Sequence, residues 1–292
     1  MKIGMIGLGA MGFPIARCLL KAGYDLYVFD VMKDKLDEIS REGAHPCAGA
    51  GEVSACVSVA FCSLPNASIV ESVLEEVFAQ SGLSLDVWVD LSSISPESAK
   101  KFAKKAAGCG FAYMDCPVSG GVRAAADGTL TIMAGGAAET LEKVRPALEA
   151  IGKKIYHVGD VGSGSGMKMV NNFMLGCNMA AAAEALVLGS KIGLDLETMY
   201  EIVRNSSGRS FIIENKIPDF IQKRKFSGGF AVDLAYKDLG LAMETAKQFS
   251  MPVHMGSTAL QMFETARAKG FGKEDITALL KITEELMDVE VR

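Results

Sequence analysis

The stretch that decides the fold is KIGMIGLGAMGFPIARCLLKAGYDLYVFD, residues 2–30. Its first apolar run, Lys2–Ile6, is typical of a buried strand, and the glycine-rich segment Gly7–Gly12 follows directly. An amphipathic pattern over Met11–Lys21 predicts a helix, and a second apolar run over Asp25–Phe29 predicts a second strand. Because a helical crossover joins parallel strands, the order strand, helix, strand predicts a parallel βαβ unit.

The alternation of short apolar runs and amphipathic stretches continues through the first half of the chain. Further strands are predicted at Val57–Phe61, Val87–Val89, Phe111–Asp115, Leu130–Ala134 and Lys154–His157. Further helices are predicted at Lys33–Arg41, Ser68–Val77, Pro96–Ala107 and Ala137–Ala150. This half is therefore expected to be an α/β, Rossmann-type, doubly wound sheet with helices on both faces.

The composition changes at Gly159–Gly166, where four of the eight residues are glycine. No strand pattern follows this break. One long apolar helical pattern covers Met167–Ile192, and shorter helical segments separated by Gly, Pro and Ser follow it. We therefore predict a Rossmann-type domain over residues 1–162 and an all-α domain over residues 163–292, joined by a long interdomain helix.

The overall composition excludes several classes of protein. The chain has 292 residues, of which 49% are hydrophobic and 22% charged, so it is not disordered as a whole. The net charge is −5 and basic residues do not cluster, so we expect no nucleic-acid partner. A strand pattern begins at once, so no secretory leader is expected. The apolar segment Phe173–Leu188 is interrupted by Asn178 and Glu184, and we expect no membrane span because one needs ~18 apolar residues.

Cysteine and histidine usage indicates a reducing compartment and no metal site. The seven cysteines are odd in number and include no Cys-x-x-Cys, so most are predicted to be small core residues. The three histidines, His45, His157 and His254, stand far apart and form no ligand pattern. We therefore expect a cytoplasmic protein without a bound metal.

The glycine-rich loop matches the dinucleotide-binding fingerprint because it follows a strand and opens a helix. Gly7 permits the tight turn, Gly9 lets the backbone approach a pyrophosphate, and Gly12 lets helix and strand pack closely. The helix N-terminus offers unpaired N–H groups and the positive end of its dipole to phosphates. The residues of the loop predicted to bind the cofactor are Gly7, Leu8, Gly9, Ala10, Met11 and Gly12.

Asp30 decides between the two nicotinamide cofactors. It ends the second strand, 18 residues beyond Gly12, where a carboxylate accepts hydrogen bonds from ribose hydroxyls and repels a 2′-phosphate. Lys33 and Lys35 follow and weaken this argument, although we interpret them as exposed residues of the next helix. NAD is therefore favoured over NADP.

Two further segments lie at the predicted carboxyl ends of strands, where ligands bind in open parallel sheets. One is Cys62–Asn66 and the other is Asp90–Pro96. Ser95 and Pro96 are also typical of a helix start, with Ser95 as the N-cap and Pro96 in the first turn. Both interpretations hold together if Ser93 faces the ligand.

The best candidate for catalysis follows the glycine break. Lys168 and Asn172 are four residues apart in a predicted helix and therefore share one face. A lysine near a helix N-terminus with apolar neighbours is expected to have a lowered pKa, which suits general acid–base catalysis. From spacing alone, the favoured explanation is a lysine that reaches solvent and an asparagine that caps a neighbouring turn.

Over essentially its whole length the sequence resembles the 3-hydroxyisobutyrate dehydrogenase family, also called β-hydroxyacid dehydrogenases. The resemblance rests on four signatures in order: Gly7–Gly12, Asp115–Gly121 with Gly128–Leu130, Gly166–Asn172, and Lys237–Leu239. Within the family, three segments look most like the branch that acts on 2-(hydroxymethyl)glutarate, namely Tyr156–Asp160, Leu175–Ala180 and Ser206–Ser210.

The resemblance implies a role for each matching residue. Lys168 would be the general acid/base, and Asn172 would orient the substrate. Ser119, Gly120 and Gly121 would bind the substrate carboxylate, which suits a glycine-rich nest of N–H groups. The cofactor would also be contacted by Leu64, Pro65, Asn66, Ser93 and Lys237, with Ser93 where the family usually has threonine.

Two of these positions keep an alternative. Lys237 could instead form a surface ion pair with Asp238 or Asp233. Arg123 lies beside Ala124, where the family often has glycine, and either binds a second substrate carboxylate or points to solvent.

The implied activity is the reversible, NAD-dependent oxidation of a β-hydroxy acid to an aldehyde acid. Candidate substrates are 3-hydroxyisobutyrate, 2-(hydroxymethyl)glutarate and the acids related to tartronate or succinic semialdehyde. A small carboxylate would be the only partner besides other copies of the chain, since the family resemblance implies a homodimer or homotetramer. Two alternatives stay open: a non-catalytic NAD-binding protein on the same fold, and an NADP-dependent aldehyde-acid reductase.

Overall fold

The chain folds into two units, Met1–Lys168 and Met169–Arg292, in a computed structural model that describes all 292 residues. The first unit is a sheet flanked by helices, and the second consists of helices. This arrangement confirms the predicted α/β fold class. The domain boundary at residue 162 stays a prediction.

The sheet of the first unit has nine strands. They are β1 (Lys2–Ile6), β2 (Asp25–Phe29), β3 (His45–Pro46), β4 (Val59–Cys62), β5 (Val87–Asp90), β6 (Ala112–Asp115), β7 (Val118–Ser119), β8 (Leu130–Gly135) and β9 (Gly152–Gly159). All residues of β4 and β5 are buried. Strands covered on both faces read as continuous apolar runs, which is why the sequence pattern located them.

Six strands form a parallel core in the order β3-β2-β1-β4-β5-β6. The strand order reverses between β1 and β4, and ligands of open α/β sheets bind outside the carboxyl ends of strands at such a switch point. The glycine loop Gly7–Gly12 begins where β1 ends, and Ser63 follows the end of β4. The topology therefore brings these two predicted cofactor segments to one edge of the sheet.

The far side of the sheet is not parallel throughout. Strand β8 pairs antiparallel with β6 and with β7, while β9 pairs parallel with β8. The chain between β6 and β8 holds β7 and the six-residue helix Gly121–Ala126. A helix of six residues does not carry the chain back along the full length of β6, as a parallel crossover requires. Strand β8 therefore runs antiparallel to β6.

Eight helices begin in the first unit. They are α1 (Gly12–Lys21), α2 (Lys33–Ser40), α3 (Ala50–Cys56), α4 (Ala67–Ala79), α5 (Pro96–Gly108), α6 (Gly121–Ala126), α7 (Ala138–Ile151) and α8 (Ser163–Lys191). Two buried apolar clusters include sheet residues: one contains Met5 and Val89 and the other contains Ile6 and Trp88. Since side chains alternate along a strand, the two clusters lie on opposite faces of the sheet.

The second unit continues from α8. It contains α9 (Leu196–Arg204), a π-helix (Ile212–Ile221), α10 (Val232–Gln248), α11 (His254–Ala268), a short 3₁₀ turn (Ile276–Ala278) and α12 (Leu279–Met287). These helices share one apolar core. A buried ion pair between Lys216 of the π-helix and Asp275 lies within this unit.

Helix α8 has 29 residues and belongs to both units. By length and mean hydropathy alone it is long and apolar enough to cross a membrane, so this test does not support the expectation based on Asn178 and Glu184, which stays a prediction. Of its most apolar window, 44% is buried inside the protein, and buried core helices pass the same test. The result is therefore weak evidence for a span.

Candidate active site

The glycine loop leaves open space at one glycine only. A Cβ added to Gly7, whose φ is +89°, would lie 2.4 Å from the Ser63 carbonyl oxygen, and one added to Gly12 would lie 1.9 Å from the Gly7 oxygen. A Cβ at Gly9 would meet nothing within 4 Å. Gly7 and Gly12 are thus required by the protein's own packing, whereas Gly9 exposes its backbone, as the fingerprint requires for an approaching pyrophosphate.

Asp30 joins the end of β2 to this loop. Its carboxylate accepts hydrogen bonds from the amides of Leu8, at 2.5 Å, and Met32, at 2.7 Å. The negative charge therefore lies beside the glycine loop. Lys33 is exposed on α2, and Lys35 on the same helix pairs with Glu38 at 3.0 Å. These lysines are helix surface residues.

A buried network connects the ends of β4 and β5. Asp90 is fully buried, and its carboxylate accepts hydrogen bonds from the Ser92 amide at 2.8 Å, the Cys62 thiol at 3.2 Å and the Tyr113 hydroxyl at 2.7 Å. Ser92 Oγ in turn accepts a hydrogen bond from the Leu64 amide at 3.0 Å. Burial raises the pKa of Asp90, and the hydrogen bonds act in the opposite direction. The network fixes Leu64 and Ser92 relative to each other.

Two predicted site residues lie next to helix starts. Ser95 caps α5 by accepting a hydrogen bond from the Ser98 amide at 3.1 Å, with Pro96 in the first turn as predicted. Asn66 caps α4 by accepting one from the Ile69 amide at 3.0 Å. The capping role of Asn66 was not anticipated, because Ala67 and Ser68 give no strong helix-start signal.

The predicted carboxylate site lies between β7 and α6. Gly120 and Gly121 have φ values of +130° and +72°, a left-handed conformation that glycine adopts without strain. Both glycines are exposed, and α6 starts at Gly121. Consecutive N–H groups in such a turn can form a concave anion site, and Ser119 of β7 directly precedes it.

Arg123 on α6 stands apart from this turn. Its side chain is 90% exposed, and its Nε lies 3.9 Å from a carboxylate oxygen of Asp127. The structure therefore gives Arg123 a surface position with a weak ion pair.

Lys168 lies in the second turn of α8, and its ammonium donates a hydrogen bond to the Val118 carbonyl at 2.7 Å. Val118 directly precedes Ser119, so the lysine reaches the start of the predicted carboxylate site. The helix itself is held by Asp115, whose two carboxylate oxygens accept hydrogen bonds from the amides of Gly162, at 2.8 Å, and Ser165, at 2.6 Å. Burial raises the pKa of Asp115, and these amides oppose that shift.

In the second unit, Asn172 is buried and belongs to a chain of polar side chains. Its amide donates a hydrogen bond to Asp238 Oδ2, and its oxygen accepts one from Asn171 at 2.9 Å. Lys237 Nζ lies 3.2 Å from Asp238 Oδ1. The Lys237–Asp238 ion pair considered from the sequence thus forms, but it is largely buried rather than on the surface. Asp233 pairs instead with Arg267.

The sequence analysis placed Asp90 and Asp115 in candidate segments but missed that their carboxylates support the site. Both stand at the last position of an apolar strand, where a charge costs free energy unless it is hydrogen-bonded. This placement is a usable signal, but the partners of such a carboxylate come from distant segments. No group of three or more His, Cys, Asp or Glu side chains is arranged to hold a metal ion.

Two family models match consecutive parts of the chain. The NAD-binding domain of 6-phosphogluconate dehydrogenase matches residues 2–159. The NAD-binding domain of NADP-dependent 3-hydroxyisobutyrate dehydrogenase matches residues 162–283.

Similar proteins cover nearly the whole chain. The 2-(hydroxymethyl)glutarate dehydrogenase of Eubacterium barkeri is 50% identical, over 99% of this chain and 97% of that protein. The NAD-dependent L-serine dehydrogenase of Pseudomonas aeruginosa is 39% identical, over 96% and 97%. Among solved structures, the 3-hydroxyisobutyrate dehydrogenase of Mycobacterium tuberculosis with L-serine has a TM-score of 0.89 at 30% identity, over 96% of this chain and 98% of that one.

Proposed function

The chain belongs to the 3-hydroxyisobutyrate dehydrogenase family of hydroxyacid dehydrogenases, and from this premise we propose how its residues oxidise a β-hydroxy acid with NAD. The observation that carries the proposal is the hydrogen bond from Lys168 to the Val118 carbonyl, immediately before Ser119–Gly121. It joins a proton-transfer group to an anion-binding turn. These are the two groups that a hydroxy acid needs.

The residues present fit an NAD cofactor. Gly9 has the open space that a pyrophosphate requires, and α1 starts beside it with no acidic residue in its first turn. Asp30 supplies the carboxylate that favours ribose hydroxyls over a 2′-phosphate. Leu64, Pro65, Asn66 and Ser93 are assigned to the cofactor because they follow β4 and β5 at the same edge of the sheet.

Lys168 exchanges the proton of the reaction. In the oxidation its neutral amine takes the proton of the β-hydroxyl, and in the reduction its ammonium returns a proton to the carbonyl oxygen. NAD supplies the hydride acceptor when bound. The Val118 carbonyl holds the ammonium in one orientation, so that little reorganisation is needed at the moment of transfer.

The substrate carboxylate is assigned to Ser119, Gly120 and Gly121, whose N–H groups and hydroxyl complement an anion. Asn172 is assigned to the substrate's oxygen atoms, because it lies one helical turn beyond Lys168 on α8. Asp238 holds the Asn172 amide in place. Lys237, paired with Asp238, is assigned to the cofactor.

The substrate is proposed to be a β-hydroxy dicarboxylate, and 2-(hydroxymethyl)glutarate is the first candidate. The relative from Eubacterium barkeri, 50% identical, carries that substrate's name. Arg123, two residues beyond the anion-binding turn, supplies a cation for the second carboxylate. The Lys168 chemistry is the same for 3-hydroxyisobutyrate and for the acids related to tartronate or succinic semialdehyde.

We also propose a cytoplasmic homodimer or homotetramer with no nucleic-acid or membrane partner. Helix α8 exposes large apolar side chains at helical spacing, and Ile192 directly after it is exposed as well; those on the helix are Met167, Val170, Met174 and Leu188. Exposed large apolar side chains of this kind are typical of protein–protein contacts, and a second copy would cover them. All seven cysteines are free thiols, as in proteins of a reducing compartment. Light scattering of the purified protein measures the oligomeric state.

The proposal is tested by nicotinamide absorbance during turnover. NAD and NADP are each offered with a panel of β-hydroxy acids, and NADH and NADPH with the corresponding aldehyde acids. We expect turnover with NAD and the highest kcat/KM for a dicarboxylate. Tight NADH binding without turnover of any acid would instead support the non-catalytic NAD-binding protein, and a preference for NADPH with aldehyde acids would support the reductase.

A further inference from the structure

We propose that two buried carboxylates at the carboxyl ends of β5 and β6, Asp90 and Asp115, are positioning residues, and that each positions a different part of the site. Asp90 holds the loops assigned to the cofactor, and Asp115 holds the helix that carries Lys168. The inference rests on the proposed function, because that function defines what the two residues position. Asp90 and Asp115 are register partners on the neighbouring parallel strands β5 and β6, and their exposures are 0% and 1%.

Burial of these two carboxylates needs an explanation. A buried carboxylate costs free energy unless hydrogen bonds or a counter-charge compensate it. The donors that reach Asp90 and Asp115 are all neutral: backbone amides, a thiol and a hydroxyl. These donors lie in the strands, in the loops that follow them and in the first turn of α8. The carboxylates therefore serve to arrange chain segments rather than to balance a charge.

The hydrogen bonds of Asp90 reach two loops, one after β4 and one after β5. Asp90 Oδ1 receives the Ser92 amide directly, and Ser92 Oγ receives the Leu64 amide. Ser92 precedes Ser93, which is assigned to the cofactor, and Leu64 is itself assigned to the cofactor. Tyr113 supports the second carboxylate oxygen from β6.

The hydrogen bonds of Asp115 reach the start of α8. The first N–H groups of a helix lack partners within it, and an anion there is also favoured by the helix dipole. Asp115 receives the amides of Gly162 and Ser165, three residues before Lys168. A Cβ on Gly164 would lie 2.3 Å from the Asp115 and Met133 carbonyl oxygens, so the helix start is seated closely against the strand ends.

The segment Asp115–Val118 therefore fixes both the helix and the lysine. Its first residue receives the helix amides, and the carbonyl of its last residue receives the Lys168 ammonium. The Ser119–Gly121 turn continues directly from it. A shift of the helix start would move the proton-transfer group relative to the assigned carboxylate site, and misplacement of about 1 Å can cost about 100-fold in rate.

The two carboxylates differ in how they would tolerate asparagine. At Asp90 an amide can turn its NH₂ toward Tyr113, because a hydroxyl also accepts hydrogen bonds, and keep its oxygen toward Ser92. At Asp115 both oxygens face backbone N–H groups, which cannot accept. In Asp115→Asn the NH₂ must therefore face one of these two N–H donors, and that hydrogen bond is lost. Asp90→Asn, in contrast, can retain the network that Asp90→Ala removes.

The test measures the NADH dissociation constant, kcat at saturating cofactor, and hydrogen exchange of the peptide that contains Ser165. We expect Asp90→Ala to raise the dissociation constant about tenfold or more, and Asp90→Asn to recover most of that loss. We expect Asp115→Asn to lower kcat about tenfold or more, to change NADH affinity less than about threefold, and to speed exchange at Ser165. Asp86→Asn, an exposed carboxylate that precedes β5, is the matched control and should change none of these.

A double-mutant cycle separates positioning from a general structural defect. In a Lys168→Ala background, Asp115→Asn should add less than about threefold to the loss of kcat, because the group that it positions is already absent. Should Asp115→Asn fail to fold, Asp115→Ser offers a smaller acceptor to the same amides and takes its place in the cycle.

Several results would overturn the inference. They are unchanged hydrogen exchange at Ser165 in Asp115→Asn, an equal loss of kcat with and without Lys168, or normal NADH affinity in Asp90→Ala. Failure of the proposed function would give a different result, because the unaltered protein itself would then turn over no β-hydroxy acid. The exchange measurement still decides the role of Asp115 in that case, since it requires no activity.

Discussion

Two glycines of the same loop should respond to alanine in opposite ways. In Gly12→Ala the new Cβ would lie 1.9 Å from the Gly7 carbonyl oxygen, more than 1 Å closer than the 3.0 Å below which real contacts essentially never fall. Overpacking of this kind costs ~1–3 kcal/mol. For a unit of this size, ~2 kcal/mol lowers Tm by ~4–8 °C. In Gly9→Ala the methyl group meets nothing within 4 Å, so Tm should change by less than ~1 °C.

The cofactor should show the reverse pattern. The Gly9→Ala methyl group occupies the space that a pyrophosphate needs, and we expect the NADH dissociation constant to rise about tenfold or more. Thermal unfolding and NADH fluorescence titration of the two variants measure both quantities. Normal NADH affinity in Gly9→Ala, or normal stability in Gly12→Ala, would refute the assignment of the loop.

Three further predictions concern cofactor choice, substrate choice and thiol reactivity. Asp30→Asn should raise the ratio of kcat/KM for NADP to that for NAD about tenfold, because the charge that repels a 2′-phosphate is lost; an unchanged ratio contradicts the role of Asp30. Arg123→Ala should raise KM about tenfold for a β-hydroxy dicarboxylate and leave a monocarboxylate and Tm unchanged, because the side chain is 90% exposed; equal effects on both acids argue against a second carboxylate site. Cys109 is exposed and should react first with a thiol reagent, whereas burial raises the pKa of Cys62 and Cys116 and keeps these thiols unreactive until the protein unfolds. Cys109→Ser should remove the fast phase of labelling, and fast labelling of Cys62 would contradict the structure.

The parallel core of the sheet was predictable from sequence because its strands are covered on both faces. Lys2–Ile6 and Asp25–Phe29 were located to the residue, since burial on both sides leaves an uninterrupted apolar run. Strand β3 is only two residues long, His45–Pro46, and both residues are exposed. Two residues are too few to show the alternating pattern of a strand. The helix Ala50–Cys56 was missed because its seven residues are too few to show a clear helical pattern.

The candidate site was predictable only where residue type alone carries the chemistry. The glycine loop and Asp30 follow from backbone geometry and charge, so spacing identified them. Lys168 was assigned through the family resemblance, because spacing alone is also explained by a lysine beside a helix start that reaches solvent. The supporting roles of Asp90 and Asp115 were missed because the donors to their carboxylates, Ser92, Tyr113 and Ser165 among them, come from segments that only the tertiary structure brings together.

The most direct test of the account is single-turnover hydride transfer with Lys168→Ala beside the unaltered protein. Both are loaded with NAD and mixed with the β-hydroxy acid that turns over fastest, and the nicotinamide absorbance is followed. We predict that Lys168→Ala binds NADH normally and transfers hydride ~10²–10⁴-fold more slowly, because the group that takes the hydroxyl proton is gone. Hydride transfer in Lys168→Ala at the rate of the unaltered protein would contradict the assignment of Lys168 as the general acid/base.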